Sequence, residues 1–380
     1  MLDTIHGGAD LAAALRDAGH EADAVDVYRG KTGIPVDEAL VRTYDLVTAP
    51  VHLDPDHPLI RRHGPAVSHH EAVQRILGDR LPHPFIEITG ARGKTTTGHA
   101  LAALLPGPGI LHTSTGTYRY PERELLWKKS ITPASLLPAA REAERIGGWL
   151  VAEESLGVTG AGDVAVLTSA EDYPIAAGKK RAITEKCRLL SRARTAVLPP
   201  GIDLAGGIRA DEIVSFDGPV CRYNGFGVTG TFANPLSTLA GYRMPLALAA
   251  ATACVLGIDP SPLAGFSALP GRMVARREGD LLIVDNANSG TNMATTIEAA
   301  RYARELSGGG PLTLVIGEEA RAVCEGFCPE DIRRTIAAVN PTATVPVGEG
   351  HPAATLDAGL DIARSITPAG AIILAVKTWR

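Results

Sequence analysis

The stretch "ITGARGKTTT" (88–97) constrains this chain more than any other. A short apolar run, "FIEITG", enters a glycine turn, and "KTTTGHALAALL" leaves it with helical character. Backbone N–H groups at such a turn, and the N-terminus of the helix behind it, favour an anion. Gly90 and Gly93 let the backbone approach a phosphate closely. Lys94 is placed to reach β- and γ-phosphates, and the Thr95 hydroxyl is offered to Mg²⁺. The expectation is an ATP site lined by Gly90, Ala91, Arg92, Gly93, Lys94, Thr95 and Thr96. A standard phosphate loop has a longer run before its Gly-Lys pair; here only Ala91 and Arg92 separate the two glycines.

The 380 residues suffice for two or three domains. Aromatics make up only 4%, so the sheet core is expected to be Val, Ile, Leu and Ala. A net charge of −5 without any basic block argues against a nucleic-acid partner. The cysteines are scattered, and the nearby pair Cys324 and Cys328 makes no four-ligand zinc site by itself. The N-terminal "MLDTIHGGAD" has no basic segment followed by an apolar core, and the Ala-rich run at 244–258 is too short for a bilayer. That run reads as a buried helix. A cytoplasmic protein without a membrane partner is expected.

Alternating strand and helix patterns suggest an α/β chain with a mostly parallel sheet. Breaks at "GDRLPHP" (78–84) and "LAGFSALPGRM" (263–273) divide it into three domains. Residues 1–80 read as an N-terminal Rossmann-like, substrate-binding domain, in which "LDTIHGG" is a strand ending in a glycine turn. Residues 81–268 read as the central ATP-binding domain and 269–380 as a C-terminal Rossmann-like domain.

The shortened loop resembles that of the Mur ligases and their relative folylpolyglutamate synthase, and other segments follow in the same order. "TSTGTYRY" (113–120) and "ITPAS" (131–135) resemble the Gly-Thr and Thr-Thr-Pro segments of that superfamily. "LVAEESLG" (150–157) resembles its glutamate-bearing strand end, "LPGRM" (269–273) its Pro-Gly-Arg hinge, and "LLIVDNANSGTN" (281–292) its aspartate-bearing strand. The resemblance implies a three-domain Mur-ligase architecture and an ATP- and Mg²⁺-dependent ligase working through an acyl phosphate. It implies that Glu153 binds the metal with Thr95, and that Arg272 and Asp285 contact ATP. "AITEKCRLL" (182–190) resembles the helix carrying the superfamily's carbamylated lysine, which makes Lys186 a metal ligand; the alternative is an exposed helix lysine. Lys94, Glu153 and Lys186 are then the catalytic set.

The chain departs from the pattern in two places. Tyr173 stands where Mur ligases carry a metal-linked histidine, and "GYRMPLA" (241–247) lacks the asparagines that help hold their nucleotide. The opening segment, through "LDTIHGG" and "VDVYR", resembles the branch of the superfamily that completes coenzyme F430. This implies a nickel-tetrapyrrole substrate, 15,17(3)-seco-F430-17(3)-acid, whose propionate is activated and captured by a carbon of the same macrocycle. His6, Thr117, Thr132 and Tyr173 are the candidate substrate contacts. Nine of the eleven histidines lie in the first hundred residues, yet they suggest no protein-bound structural metal. A monomer or homodimer is expected. The main rival is an amide ligase adding an amino acid. A metallochaperone GTPase is disfavoured because no asparagine is followed by lysine, and a catalytically dead binding module because Gly93, Lys94, Thr95 and Glu153 are intact.

Overall fold

The computed structural model describes residues 1–28, 32–64, 66–79, 81–319 and 327–378. They form two compact units: Met1–Thr238 with Tyr242–Phe266, and Leu239–Gly241 with Ser267–Arg380.

The first unit is built on an eight-stranded sheet: β1 (Phe85–Thr89), β2 (Gly109–Thr113), β3 (Gly116–Tyr120), β4 (Glu124–Trp127), β5 (Trp149–Glu153), β6 (Val164–Leu167), β7 (Ala196–Leu198) and β8 (Gly207–Arg209). Their spatial order is β8-β7-β6-β1-β5-β2-β3-β4. Only the β2-β3 and β3-β4 pairs are antiparallel. All five residues of β1 and of β5 are buried, as central parallel strands covered on both faces require. The chain leaves β1 toward β2, while β6 lies on the other side of β1. Ligands of open α/β sheets bind in the crevice at such a switch point, beyond the carboxyl ends of the strands.

Residues 1–79 supply four α-helices among the described residues, the two longest being α1 (Ala9–Asp17) and α2 (His69–Leu77). Ser68 and Glu71 form a reciprocal capping box that starts α2. This helix docks on the sheet unit: His70 Nε2 lies 3.0 Å from the Ser155 carbonyl, and Gln74 donates to the Gly160 carbonyl at 3.1 Å. The β content here is smaller than the sequence pattern suggests. One two-residue parallel pair, Thr48–Ala49 with Val67–Ser68, is joined by isolated bridges from Val25 to Leu2 and Ile34. The expected strand at "LDTIHGG" is instead a π-helical turn over Thr4–Gly8. Asp3 at φ 70° and Gly7 at φ 98° lie outside extended space, so the alternation there does not make a strand.

Further along lie α3 (Lys94–Ala102), α4 (Leu136–Arg145), α5 (Ala182–Leu190) and α6 (Ala240–Val255). The buried body of α6 covers the Ala-rich run. No helix among the described residues is long and apolar enough to cross a membrane.

The second unit carries a five-stranded sheet. Its strands are β9 (Val274–Glu278), β10 (Leu281–Asp285), β11 (Leu312–Glu318), β12 (Ala343–Val347) and β13 (Gly370–Lys377), in the order β9-β10-β13-β11-β12. Only β9 is antiparallel to its neighbour. Leu281, Ile283, Val315, Ile372 and Leu374 anchor its core. Cys324 lies outside the described residues.

Candidate active site

The loop between β1 and α3 is shaped by its glycines. Gly90 has φ 148°, and a Cβ there would meet Thr168 Oγ1 at 2.1 Å. Gly93 is left-handed (φ 83°) and occupies the N-cap of α3. No side chain caps this helix, and its first turn carries no acidic residue. The helix supplies no negative charge of its own to offset the positive end of its dipole, which suits a phosphate. Pro245 of α6 packs against Gly93, at 3.2 Å from the position of a Cβ. The helix that carries "GYRMPLA" (241–247) thus lies directly on the loop.

The structure brings three of the expected residues together. Thr95 Oγ1 donates to Glu153 Oε2 at 2.9 Å, and both residues are buried. Lys94 Nζ lies 3.7 Å from Glu153 Oε1 and donates to the Gly90 carbonyl at 3.0 Å. Ser114 completes the cluster: its N–H donates to Glu153 Oε2 at 3.1 Å, and its hydroxyl lies 3.2 Å from Thr95 Oγ1. A hydroxyl and a carboxylate converging at one point form an all-oxygen set suited to a hard divalent cation.

Other hydroxyls around the loop were not among the expected residues. Ser169 Oγ accepts from Ala91 N at 2.9 Å and from Arg92 N at 3.4 Å, and the Thr168 hydroxyl donates to the Arg92 carbonyl. Arg92 is ion-paired to Glu171. Thr96 is buried in the first turn of α3. Ser114, Thr168 and Ser169 all follow carboxyl ends of sheet strands, a signal that emerges once the sheet order is known.

Lys186 is not an exposed helix lysine. It is fully buried, and its ammonium nitrogen has no hydrogen-bond partner among the described residues. Nζ sits 4.9 Å from the centroid of the Tyr173 ring. Burial, and then the charge of Lys94, push its pKa down to about 8. Ala182, Lys186, Leu189 and Leu190 are buried along one face of α5. Their i, i+3, i+4 spacing is the sequence signal for that placement.

Glu154, next to Glu153, is also buried. Burial and the neighbouring Glu87 carboxylate push its pKa well above the usual carboxylate range. Glu87 itself accepts from the N–H groups of Thr159 (2.7 Å) and Gly162 (2.9 Å).

Of the candidate substrate residues, Thr132 lies against the turn that carries His6. Thr117 Oγ1 lies 2.8 Å from His112 Nδ1 inside the sheet. Thr132 Oγ1 lies 3.1 Å from Ser135 Oγ and 3.1 Å from where a Gly7 Cβ would stand, so the His6–Gly8 turn abuts it. The Tyr173 ring faces Lys186. In the second unit, Asn288 Nδ2 donates to the Gly271 carbonyl at 2.6 Å, beside the partly buried Arg272. Asp285 Oδ1 accepts from Ala287 N at 3.1 Å. The hinge and the end of β10 therefore share one corner of that unit.

Residues 275–378 match the family model "Coenzyme F430 synthetase CfbE, C-terminal domain". Coenzyme F(430) synthetase of Methanosarcina acetivorans is 31% identical over 88% of this chain and 86% of its own. The chain belongs to the coenzyme F430 synthetase family. Members of this family are ATP-dependent ligases, and so is this chain. Its fold is that of the Mur ligases. MurF ligase from Thermotoga maritima in complex with ADP superposes with a TM-score of 0.53 at 16% identity, covering 94% of this chain and 91% of that one. A bifunctional folylpolyglutamate synthase/dihydrofolate synthase with Mn, AMPPNP and L-glutamate bound gives 0.54 at 17% identity, covering 80% and 90%.

Proposed function

We propose that this F430 synthetase relative uses ATP and Mg²⁺ to phosphorylate a propionate carboxylate of a nickel seco-tetrapyrrole, and that the activated carboxyl is captured by a carbon of the same macrocycle. The observation that carries this reading is the convergence of Lys94, Thr95 and Glu153 at an uncapped helix N-terminus, in a chain of this family. The neighbour with Mn and AMPPNP supports a divalent metal beside a nucleoside triphosphate.

In this reading the loop from Gly90 to Thr96 cradles the phosphates. The carboxylate oxygen attacks the γ-phosphorus, the bond to the ADP oxygen breaks, and Lys94 offsets charge between the two approaching anions. The macrocycle carbon then attacks the acyl carbon and loses its proton, and inorganic phosphate leaves. The balance is loss of one water from the macrocycle per ATP. Thr95 and Glu153 would hold the metal, which supplies charge neutralisation at the γ-phosphate. We assign Arg272 and Asp285 to the nucleotide on the strength of the resemblance.

Lys186 supports a carbamate. A buried, unpartnered amine with a pKa near 8 supplies the neutral form that reacts with CO₂, and the product is an anionic metal ligand. We retain the division into 1–80, 81–268 and 269–380 as functional regions for the tetrapyrrole, the ATP and the closing hinge.

The test is phosphate release from ATP by purified protein with the nickel seco-acid and no amine, followed by absorption and mass. Stoichiometric release with a product one water lighter is expected. Release that requires an added amino acid would make the enzyme an amide ligase.

A further inference from the structure

We propose that Asp3, His6 and His52 form a binding site for one divalent transition-metal ion, separate from the nucleotide's metal and independent of the reading above. One ligand atom from each residue lies within 4.8 Å of the others. Three such donors around one ion at ordinary bond lengths sit roughly 3–3.6 Å apart. His52 Nε2 is already 3.6 Å from Asp3 Oδ2, and His6 Nδ1 is in direct contact with the same oxygen.

Several features show a carboxylate held in place for this purpose. Asp3 is fully buried, and among the described residues its ion pairs are to His6 and His52, with no lysine or arginine. A buried carboxylate without a permanent cation is costly unless a charge reaches it. Its backbone is left-handed at φ 70°, a conformation rarely held without compensation. Oδ1 takes the Ile5 and His6 N–H groups at 3.0 and 3.2 Å, which leaves Oδ2 for the imidazoles. His52 Nε2 is a buried nitrogen with no partner at hydrogen-bond distance among the described residues. The Tyr28 ring packs against both imidazoles, stacked at 6.4 Å on His52 and edge-on at 5.9 Å to His6. The His6 side chain is 45% exposed, so the site opens to solvent and leaves coordination positions for water or a ligand.

Two imidazoles and one carboxylate prefer Zn²⁺, Ni²⁺, Co²⁺ or Cu²⁺ over Mg²⁺. The oxygen set of Thr95 and Glu153 has the opposite preference. The ion can be a free aquo ion or the metal of a tetrapyrrole; we assign the free ion.

The experiment titrates tag-free, full-length protein with Co²⁺, reading visible absorption and bound metal after dialysis. One saturable ion per chain is expected, displaced by Ni²⁺ but not by excess Mg²⁺. His6→Ala and His52→Ala should each weaken binding at least ~10-fold, the loss typical even of groups one step removed from a metal. His52→Gln guards against a folding defect, with circular dichroism and Tm as controls. Changing the exposed His351 should alter nothing. Absence of saturable uptake, or uptake that survives both histidine changes, overturns the site. In a second arm the same variants are titrated with a nickel tetrapyrrole. Loss of tetrapyrrole affinity without any uptake of free ion would also overturn it and give the cluster to the substrate.

Discussion

Lys94 and Lys186 lie in the same unit, and their surroundings are opposed. Lys94 caps the Gly90 carbonyl and faces the Glu153 carboxylate. Lys186 has an aromatic face at 4.9 Å and no hydrogen-bond partner among the described residues. The first environment favours a cation. The second penalises the cation and favours a neutral amine. The difference teaches that the two lysines are biased toward opposite charge states by whether a carboxylate is within reach.

The comparison breaks most severely at Lys94. Lys94→Met should reduce ATP turnover by at least ~10³-fold with the fold intact, because the charge it supplies acts where two anions meet. Steady-state kinetics with circular dichroism would check this. Glu153→Gln should cost roughly 10²-fold or more and raise the Mg²⁺ concentration needed for half-maximal rate; a metal titration of the rate separates this from simple instability.

Lys186 sharpens the contrast from the other side. Lys186→Ala should lose most of its activity and regain part of it with added short carboxylic acids, which would stand in for the proposed carbamate. Unchanged activity would remove Lys186 from the mechanism. The same residue predicts a stability effect in CO₂-free buffer. Its pKa falls from 10.5 to about 8 on folding, so the folded state disfavours the proton. The penalty is full below pH 8 and is relieved as pH rises from 8 toward 10.5. Lys186→Met should therefore be more stable at pH 7 by on the order of 2 kcal/mol, with the gain fading above pH 10.

The smallest expected effect belongs to Glu154. Its pKa is raised on folding, so its favourable contribution is present at low pH and is lost as pH rises through the folded value. Glu154→Gln should gain stability at pH 8 and little at pH 4, measured by urea unfolding.

The loop was legible because its chemistry is local: two glycines, a lysine and a threonine in one run determine the turn, the helix start and the anion preference. Glu153 was legible as the end of a resembling strand. Ser114 and Ser169 were not, since their value depends on which strand ends the sheet order sets side by side. The burial of Lys186 could have been read from its spacing with Ala182, Leu189 and Leu190. The turn at Asp3 could not, because alternating residues suggest a strand until a left-handed backbone is seen. His52 joins it only through tertiary structure, from nearly fifty positions away.

The most direct test of the account uses the seco-acid labelled with ¹⁸O in the propionate carboxylate, turned over with MgATP and no amine. Attack of that carboxylate on the γ-phosphorus predicts one ¹⁸O in each inorganic phosphate released, with a ring-closed product. Phosphate free of label would contradict carboxylate activation at this site.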